Sequence, residues 1–204
     1  MNVLVAVASR HGATLEIGEA IAAVLRSNGL VASLEPVEAV SSLEGHDAVV
    51  LGSGVYAGHW LGSAREFVDR HEVPLRARPV WLFSSGPVGD PARPAEAPAE
   101  AASVATRVGA HGHRLFAGRV VKSELGFAEK AILKVVRAPE GDFRPWPEIS
   151  AWATGIATLL TAGAALGDEV AVAPVCRVPR GPAIGFGRQA PSRSRAVIFS
   201  TRAA

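Results

Sequence analysis

Val3-Leu4-Val5-Ala6-Val7-Ala8-Ser9-Arg10-His11-Gly12-Ala13-Thr14 is the stretch that decides how the whole chain is read. Residues 3–8 are continuously apolar, the pattern of a central parallel strand covered on both faces. Ile17, Ile21, Val24 and Leu25 then repeat at helical spacing, so a helix begins near Ala13. A buried strand that turns straight into a helix offers backbone N–H groups and the positive end of a helix dipole at the turn, which together attract a phosphate. Ser9 and Thr14 add hydroxyl donors, and Gly12 lets a ligand approach the backbone closely. The loop has no lysine at the Walker position and no G-x-G-x-x-G, which argues against a P-loop nucleotide and against a dinucleotide. From this loop alone, a serine-capped first helix with no ligand is an equal alternative.

Working outward, four more strands are expected at residues 31–37, 48–52, 79–83 and 115–121. Helices are expected at 13–28, 62–71, 99–110, 125–136 and 149–166, with Asn28-Gly29 closing the first. Residues 91–98 form a proline- and alanine-rich loop. Strict alternation of strand and helix predicts an α/β fold, a doubly wound five-stranded parallel sheet with right-handed crossovers and helices on both faces. For five strands the order 2-1-3-4-5 follows, and ligands then sit beyond the carboxyl ends of strands one, three and four.

The loop after strand three is Gly52-Ser53-Gly54-Val55-Tyr56-Ala57-Gly58-His59-Trp60. Its small residues let backbone reach a planar ring, and Tyr56 and Trp60 offer aromatic faces for stacking. The alternative is a glycine-rich turn with Trp60 in the core. His59 is the one candidate proton donor, against a plain surface or capping role. The loop after strand four, Ser84-Ser85-Gly86-Pro87-Val88-Gly89-Asp90, has the composition of a turn whose backbone can hydrogen-bond a ring edge.

Ser9-Arg10-His11-Gly12-Ala13-Thr14 resembles the T/S-x-T-G-x-T phosphate loop of flavodoxins, with His11 in place of the middle hydroxyl residue. The resemblance implies flavin mononucleotide (FMN) as cofactor. It places the phosphate on Ser9, Arg10, His11, Gly12, Ala13 and Thr14. The ring then falls to Ser53, Gly54, Val55, Tyr56, Ala57, Gly58 and Trp60, and to Ser84, Ser85, Gly86, Pro87 and Gly89. Gly58-His59-Trp60 followed by Glu66-Phe67-Val68 is similar to the menaquinone-dependent protoporphyrinogen dehydrogenases, a long-chain branch of these proteins. That branch inserts a segment before its last helix, where residues 121–148 stand here, with Trp146 before the helix. Its arginine-tyrosine pair in the second loop is replaced by Tyr56-Ala57. The resemblance covers about residues 2–164. It implies an FMN-dependent oxidoreductase that takes electrons from a small-molecule substrate and passes them to a quinone. The alternatives are an electron carrier that docks to a redox partner protein, and a flavin-free binding module on the same fold. A receiver domain would need an aspartate at the end of strand three, where Ser53 stands.

The bulk composition sets limits. The chain has 204 residues, 49% of them apolar, and a formal charge of +2. That balance gives no ground for nucleic-acid binding. A single cysteine, Cys176, excludes an internal disulfide and a cysteine zinc site, and no metal is expected. The first residues lack the pattern of a signal peptide, and the apolar run at 151–166 is shorter than a membrane span, so a cytoplasmic protein is expected. The insertion is basic, with Lys122, Lys130, Lys134, Arg137 and Arg144, and the first four of these accompany an apolar surface at Phe127, Ile132, Leu133, Val135 and Val136. Lys122, Lys130, Lys134 and Arg137 either meet substrate carboxylates or lipid head groups at the inner face of a membrane, or are simply solvated. Two units follow: a flavodoxin-like domain at 1–166 and a basic, disordered extension at 167–204, with no acid after Glu169.

Overall fold

The computed structural model describes residues 1–86, 97–121, 123 and 140–169. The expected helix at 125–136, most of the insertion and nearly all of the C-terminal extension lie outside the described residues.

Five parallel strands form the main sheet: β1 (Asn2–Ala8), β2 (Val31–Pro36), β3 (Ala48–Tyr56), β5 (Val80–Ser85) and β6 (Gly112–Phe116). Their order is β2-β1-β3-β5-β6, which is the expected 2-1-3-4-5. A two-residue strand, β4 (His59–Trp60), folds back antiparallel on β3. A second small ribbon pairs β7 (Arg119–Val120) with β8 (Gly141–Asp142). The helices are α1 (Ala13–Ser27), α2 (Gly62–Arg76), α3 (Ala99–Val108) and α4 (Trp146–Glu169).

The unbroken apolar run of β1 splits between two cores. Val3, Val5 and Val7 face Ile17, Ile21 and Leu25 of α1 and Ile149, Ala153 and Ile156 of α4. Leu4, Ala6 and Ala8 face the other layer, with Phe67 and Val68 of α2 and Val104 and Val108 of α3. Each of the larger apolar side chains withdrawn in this way stabilises the fold by about 1.5–3 kcal/mol. Small residues set the spacing of the layers. A methyl group at Gly52 would lie 2.0 Å from Phe83 Cζ, and one at Gly18 would lie 2.6 Å from Val7 Cγ2.

Several boundaries differ from expectation, each for a physical reason. The third strand runs four residues past Gly52, because the small residues that read as loop remain paired, to β1 through Ser53 and to β5 through Gly54, and Val55 and Tyr56 then pair with β4. α2 continues past His71 to Arg76, although Pro74 lies inside it. His71 leaves helical geometry at φ −113° and ψ 17°, so the helix restarts there and the missing proline N–H falls in a first turn, where no partner is needed. The fifth parallel strand starts earlier and stops at Phe116, and the rest of the expected segment forms the separate β7–β8 ribbon. Among the described residues no helix is long and apolar enough to cross a membrane.

Candidate functional site

Three segments meet beyond the carboxyl ends of β1, β3 and β5. The first is the turn from β1 into α1. Gly12 is the residue before the helix and sits at φ 80° and ψ −25°, a left-handed conformation that glycine adopts without steric cost. No side chain caps the helix start; Ser9 therefore does not serve as the cap. The first-turn N–H groups are left to a ligand or to water. A methyl group at Gly12 would meet nothing within 4 Å, so this face of the loop is open.

An acidic residue stands in the first turn of α1, and its charge would oppose an anion. Glu16 is neutralised from two sides: Arg119 lies 3.0 Å away and Arg144 lies 2.7 Å away. The Arg144 side chain is 3% exposed. It binds Asp142 through Nε and Nη2 at 2.8 and 2.6 Å, and donates to the carbonyl oxygen of Ala13 at 3.1 Å. Its guanidinium also lies 4.4 Å from the ring centroid of Trp146. The hydrogen bonds from Arg144 hold the Asp142 carboxyl below its ordinary value against the opposing effect of burial. The same contacts raise Arg144. Arg144 is thus a clamp on the first loop, not one of the insertion's surface cations. Lys122, Lys130, Lys134 and Arg137 lie outside the described residues.

The second segment is a hairpin. Ser53, Gly54, Val55 and Tyr56 belong to β3, and only Ala57 and Gly58 form the turn, at φ 49° and 82°. Two left-handed central residues give the mirror-image turn that suits the twist of a hairpin. Ala57 is the one non-glycine among the described residues with positive φ. Tyr56 faces the first loop: Arg10 lies 4.8 Å from its ring centroid, and the His11 ring lies 6.1 Å away. A methyl group at Gly54 would lie 3.2 Å from Thr14 Oγ1 and 3.2 Å from the Tyr56 ring. The first and second segments are therefore in contact.

Trp60 lies elsewhere. It is 2% exposed, and its indole N–H donates to Ser84 Oγ at 2.7 Å. This places it in the core, where its faces are not open for stacking. The Ser53 hydroxyl is also buried, donating to the Gly54 carbonyl and accepting from the Leu61 N–H. His59 is 65% exposed in its side chain, with Nδ1 2.9 Å from Glu100 Oε1. A carboxylate only accepts, so that nitrogen carries the proton and Nε2 is left outward.

The third segment follows β5. Ser84 and Ser85 are the last residues of the strand and are buried. Ser84 Oγ contacts His113 Nε2 at 2.8 Å in addition to Trp60. Burial lowers the His113 pKa. Gly86 packs against the hairpin: a methyl group there would lie 2.8 Å from Val55 Cβ and 3.0 Å from the Val55 carbonyl oxygen. Gly118 closes on Gly86 from the far side, at 3.4 Å from its Cα by the same measure. Pro87 and Gly89 lie outside the described residues.

Four participants were not singled out in the sequence as site residues: Glu16, Arg119, Glu100 and His113. Each gains its place from a partner far along the chain, so no local pattern marks it.

A doubly wound sheet with an uncapped, glycine-led first helix and a hairpin at the switch point defines a mononucleotide-binding α/β protein. The family model described as "Flavodoxin domain" matches residues 4–144, and the chain belongs to that family. FMN is the cofactor that follows from membership, and the open Gly12 face together with the uncapped α1 start fits a phosphate there. Protoporphyrinogen IX dehydrogenase [quinone] of Escherichia coli K12 is 30% identical over 86 residues, covering 41% of this chain and 48% of that protein. The chain thus spans about half the length of the curated relatives it matches. Among solved structures, a flavodoxin from the domain Archaea superposes with a TM-score of 0.55 at 17% identity, over 79% of this chain and 99% of that one. Rubredoxin oxygen:oxidoreductase from Desulfovibrio gigas gives 0.54 at 17% identity, over 79% of this chain and 36% of that one. At such identities these two likenesses carry the fold alone.

Proposed function

We propose that the chain is an FMN-dependent oxidoreductase of the protoporphyrinogen dehydrogenase type. The observation that carries the FMN reading is the contact of three segments at the carboxyl end of the sheet, Thr14 against Gly54 and Val55 against Gly86, beside the uncapped start of α1. The partial identity with protoporphyrinogen IX dehydrogenase [quinone] supports the enzyme class.

In this reading residues 9–14 hold the phosphate through their backbone N–H groups and the hydroxyl of Thr14. Tyr56, Ala57 and Gly58 lie along the flavin ring. Ser85 and Gly86 meet its polar edge through backbone groups. Bound FMN supplies the redox chemistry, taking reducing equivalents from the substrate and returning them to an acceptor such as a quinone. His59, oriented by Glu100, is the candidate to take up a substrate proton at Nε2. Peripheral contact with the inner face of a membrane would bring the quinone within reach.

The test is reconstitution of the purified chain with FMN, followed by absorbance spectra and turnover of protoporphyrinogen IX with a menaquinone analogue. A flavin spectrum with turnover supports the reading. A chain that takes up no FMN refutes it. FMN uptake without turnover, coupled to electron exchange with a redox partner, would make the protein an electron carrier instead.

A further inference from the structure

The hairpin of residues 55–60 has little to hold it in place by itself. Its outer arm is two residues long and pairs with β3 only at Val55↔Trp60 and Tyr56↔His59. Its turn contains Ala57 in a left-handed conformation that costs an L-residue energy. A two-stranded ribbon this short does not persist unaided. Yet it carries Tyr56, the aromatic nearest to Arg10 and His11.

The missing restraint comes from α3. Glu100, in the first turn of that helix, spends both carboxylate oxygens on the hairpin's outer arm. Oε2 accepts the backbone N–H of Trp60 at 2.9 Å, and Oε1 accepts Nδ1–H of His59 at 2.9 Å. Arg65 of α2 stands 3.5 Å from Oε1. A negative charge in a first helical turn is itself favourable. The same arm is held from within, where Trp60 Nε1 meets Ser84 Oγ and Ser84 Oγ meets His113 Nε2. β4 is therefore tied at its backbone to α3 and at its indole to β5 and β6. Burial by itself would push the Glu100 carboxyl up, but the hydrogen bonds from His59 and the Trp60 amide, with Arg65 nearby, outweigh it and leave the group below its ordinary value.

We propose that Glu100 is a positioning residue of the flavin site, acting through the Trp60 backbone N–H to fix the height of Tyr56 and the Ala57–Gly58 turn over the ring. This rests on the FMN reading above. The exposed His59–Glu100 contact alone would be worth little. The bond to the half-buried backbone N–H is the strong one, because a charged acceptor meets a donor that has no other partner on its side of the arm.

The experiment compares Glu100→Ala, Glu100→Asp and Glu100→Gln with the unchanged chain. Amide exchange is measured without FMN, and FMN affinity, the visible circular dichroism of bound FMN and its midpoint potential are measured with it. Glu100→Ala is expected to speed exchange of the Trp60 N–H about tenfold, the worth of one charge-assisted hydrogen bond, while the β1 amides keep their rates. FMN affinity falls by a similar factor, and the dichroism and potential change. Glu100→Asp, one methylene short of bridging both groups, shows the same changes in smaller measure, so the comparison survives if the alanine variant does not fold. Glu100→Gln keeps an acceptor for the Trp60 N–H and restores most of the affinity. Unchanged exchange at Trp60 in the alanine and aspartate variants overturns the proposal, as does a glutamine variant as impaired as the alanine one. Faster exchange with unchanged affinity, dichroism and potential overturns it too. An unchanged chain that binds no FMN overturns the functional reading and this extension together, while the exchange rates still tell whether the latch exists.

Discussion

Replacing Arg144 by methionine tests the clamp on the first loop. Methionine fills similar volume but leaves Asp142, Glu16 and the Ala13 carbonyl without their donor. Breaking a fully buried ion pair costs about 3–5 kcal/mol. Here the cost is smaller, because the Asp142 and Glu16 side chains are 40% and 38% exposed and regain water, and Glu16 keeps Arg119. The Ala13 carbonyl and the lost bidentate pair put the loss at roughly 2–3 kcal/mol. For a domain of this size that lowers Tm by about 5–10 °C. Urea unfolding followed by far-ultraviolet circular dichroism at neutral pH measures it directly. The sign with pH is fixed by Asp142, whose carboxyl is depressed in the folded state. Its contribution is present above the ordinary value of 3.8 and is lost as the pH falls through the folded value, so the gap between the two proteins narrows only in acid. FMN affinity should fall as well, since the clamp holds the loop at Ala13. A loss under about 0.5 kcal/mol, within the range of ordinary surface substitutions, would refute the reasoning.

Gly52→Ala places a methyl group 2.0 Å from Phe83 Cζ and is expected to cost at least about 1–3 kcal/mol, read as a lower urea midpoint with unchanged slope. Ala57→Gly relieves a left-handed alanine worth about 1–2 kcal/mol but loosens the unfolded chain by about 0.5–1, so equal or slightly higher stability is expected in the same assay. His71 and His113 both have pKa values lowered by burial from 6.5, so the folded chain binds fewer protons than the unfolded one. Stability therefore falls as the pH drops below about 6.5 and levels off below the folded values; His113→Gln should flatten that part of a pH series of urea midpoints.

The parts legible in the sequence are those whose signal is local. β1 was readable because a strand covered on both faces must be apolar at every position, and the sheet order followed from regular alternation. The turn at Gly12 is legible because a glycine between a buried strand and a helix readily takes the left-handed conformation, whereas the loop by itself does not say what it binds. The end of β3 is not legible, since Ser53 and Gly54 are poor strand formers held in place by pairing, Ser53 to both β1 and β5 and Gly54 to β5. Trp60 reads as a stacking face beside a glycine-rich turn, but its partner Ser84 lies 24 residues away, and that bond draws the indole inward. Glu100 is 40 residues from the backbone N–H it accepts, in a stretch that reads as an alanine-rich helix. In the sequence Arg144 is one basic residue among several, because its partners lie 128 and 131 residues upstream.

The packing of α4 on α1 has a consequence for how the chain comes into being. The first loop is made within the opening 14 residues, but the clamp on it and the helix covering its layer arrive only with residues 142–160. Pairings so distant are slow to form, because the intervening loop must close first. On a ribosome, synthesis proceeds from the other end. The earliest-made element of the site thus waits for late ones to become rigid, and a nascent chain gains a clamped first loop only as Arg144 and α4 emerge.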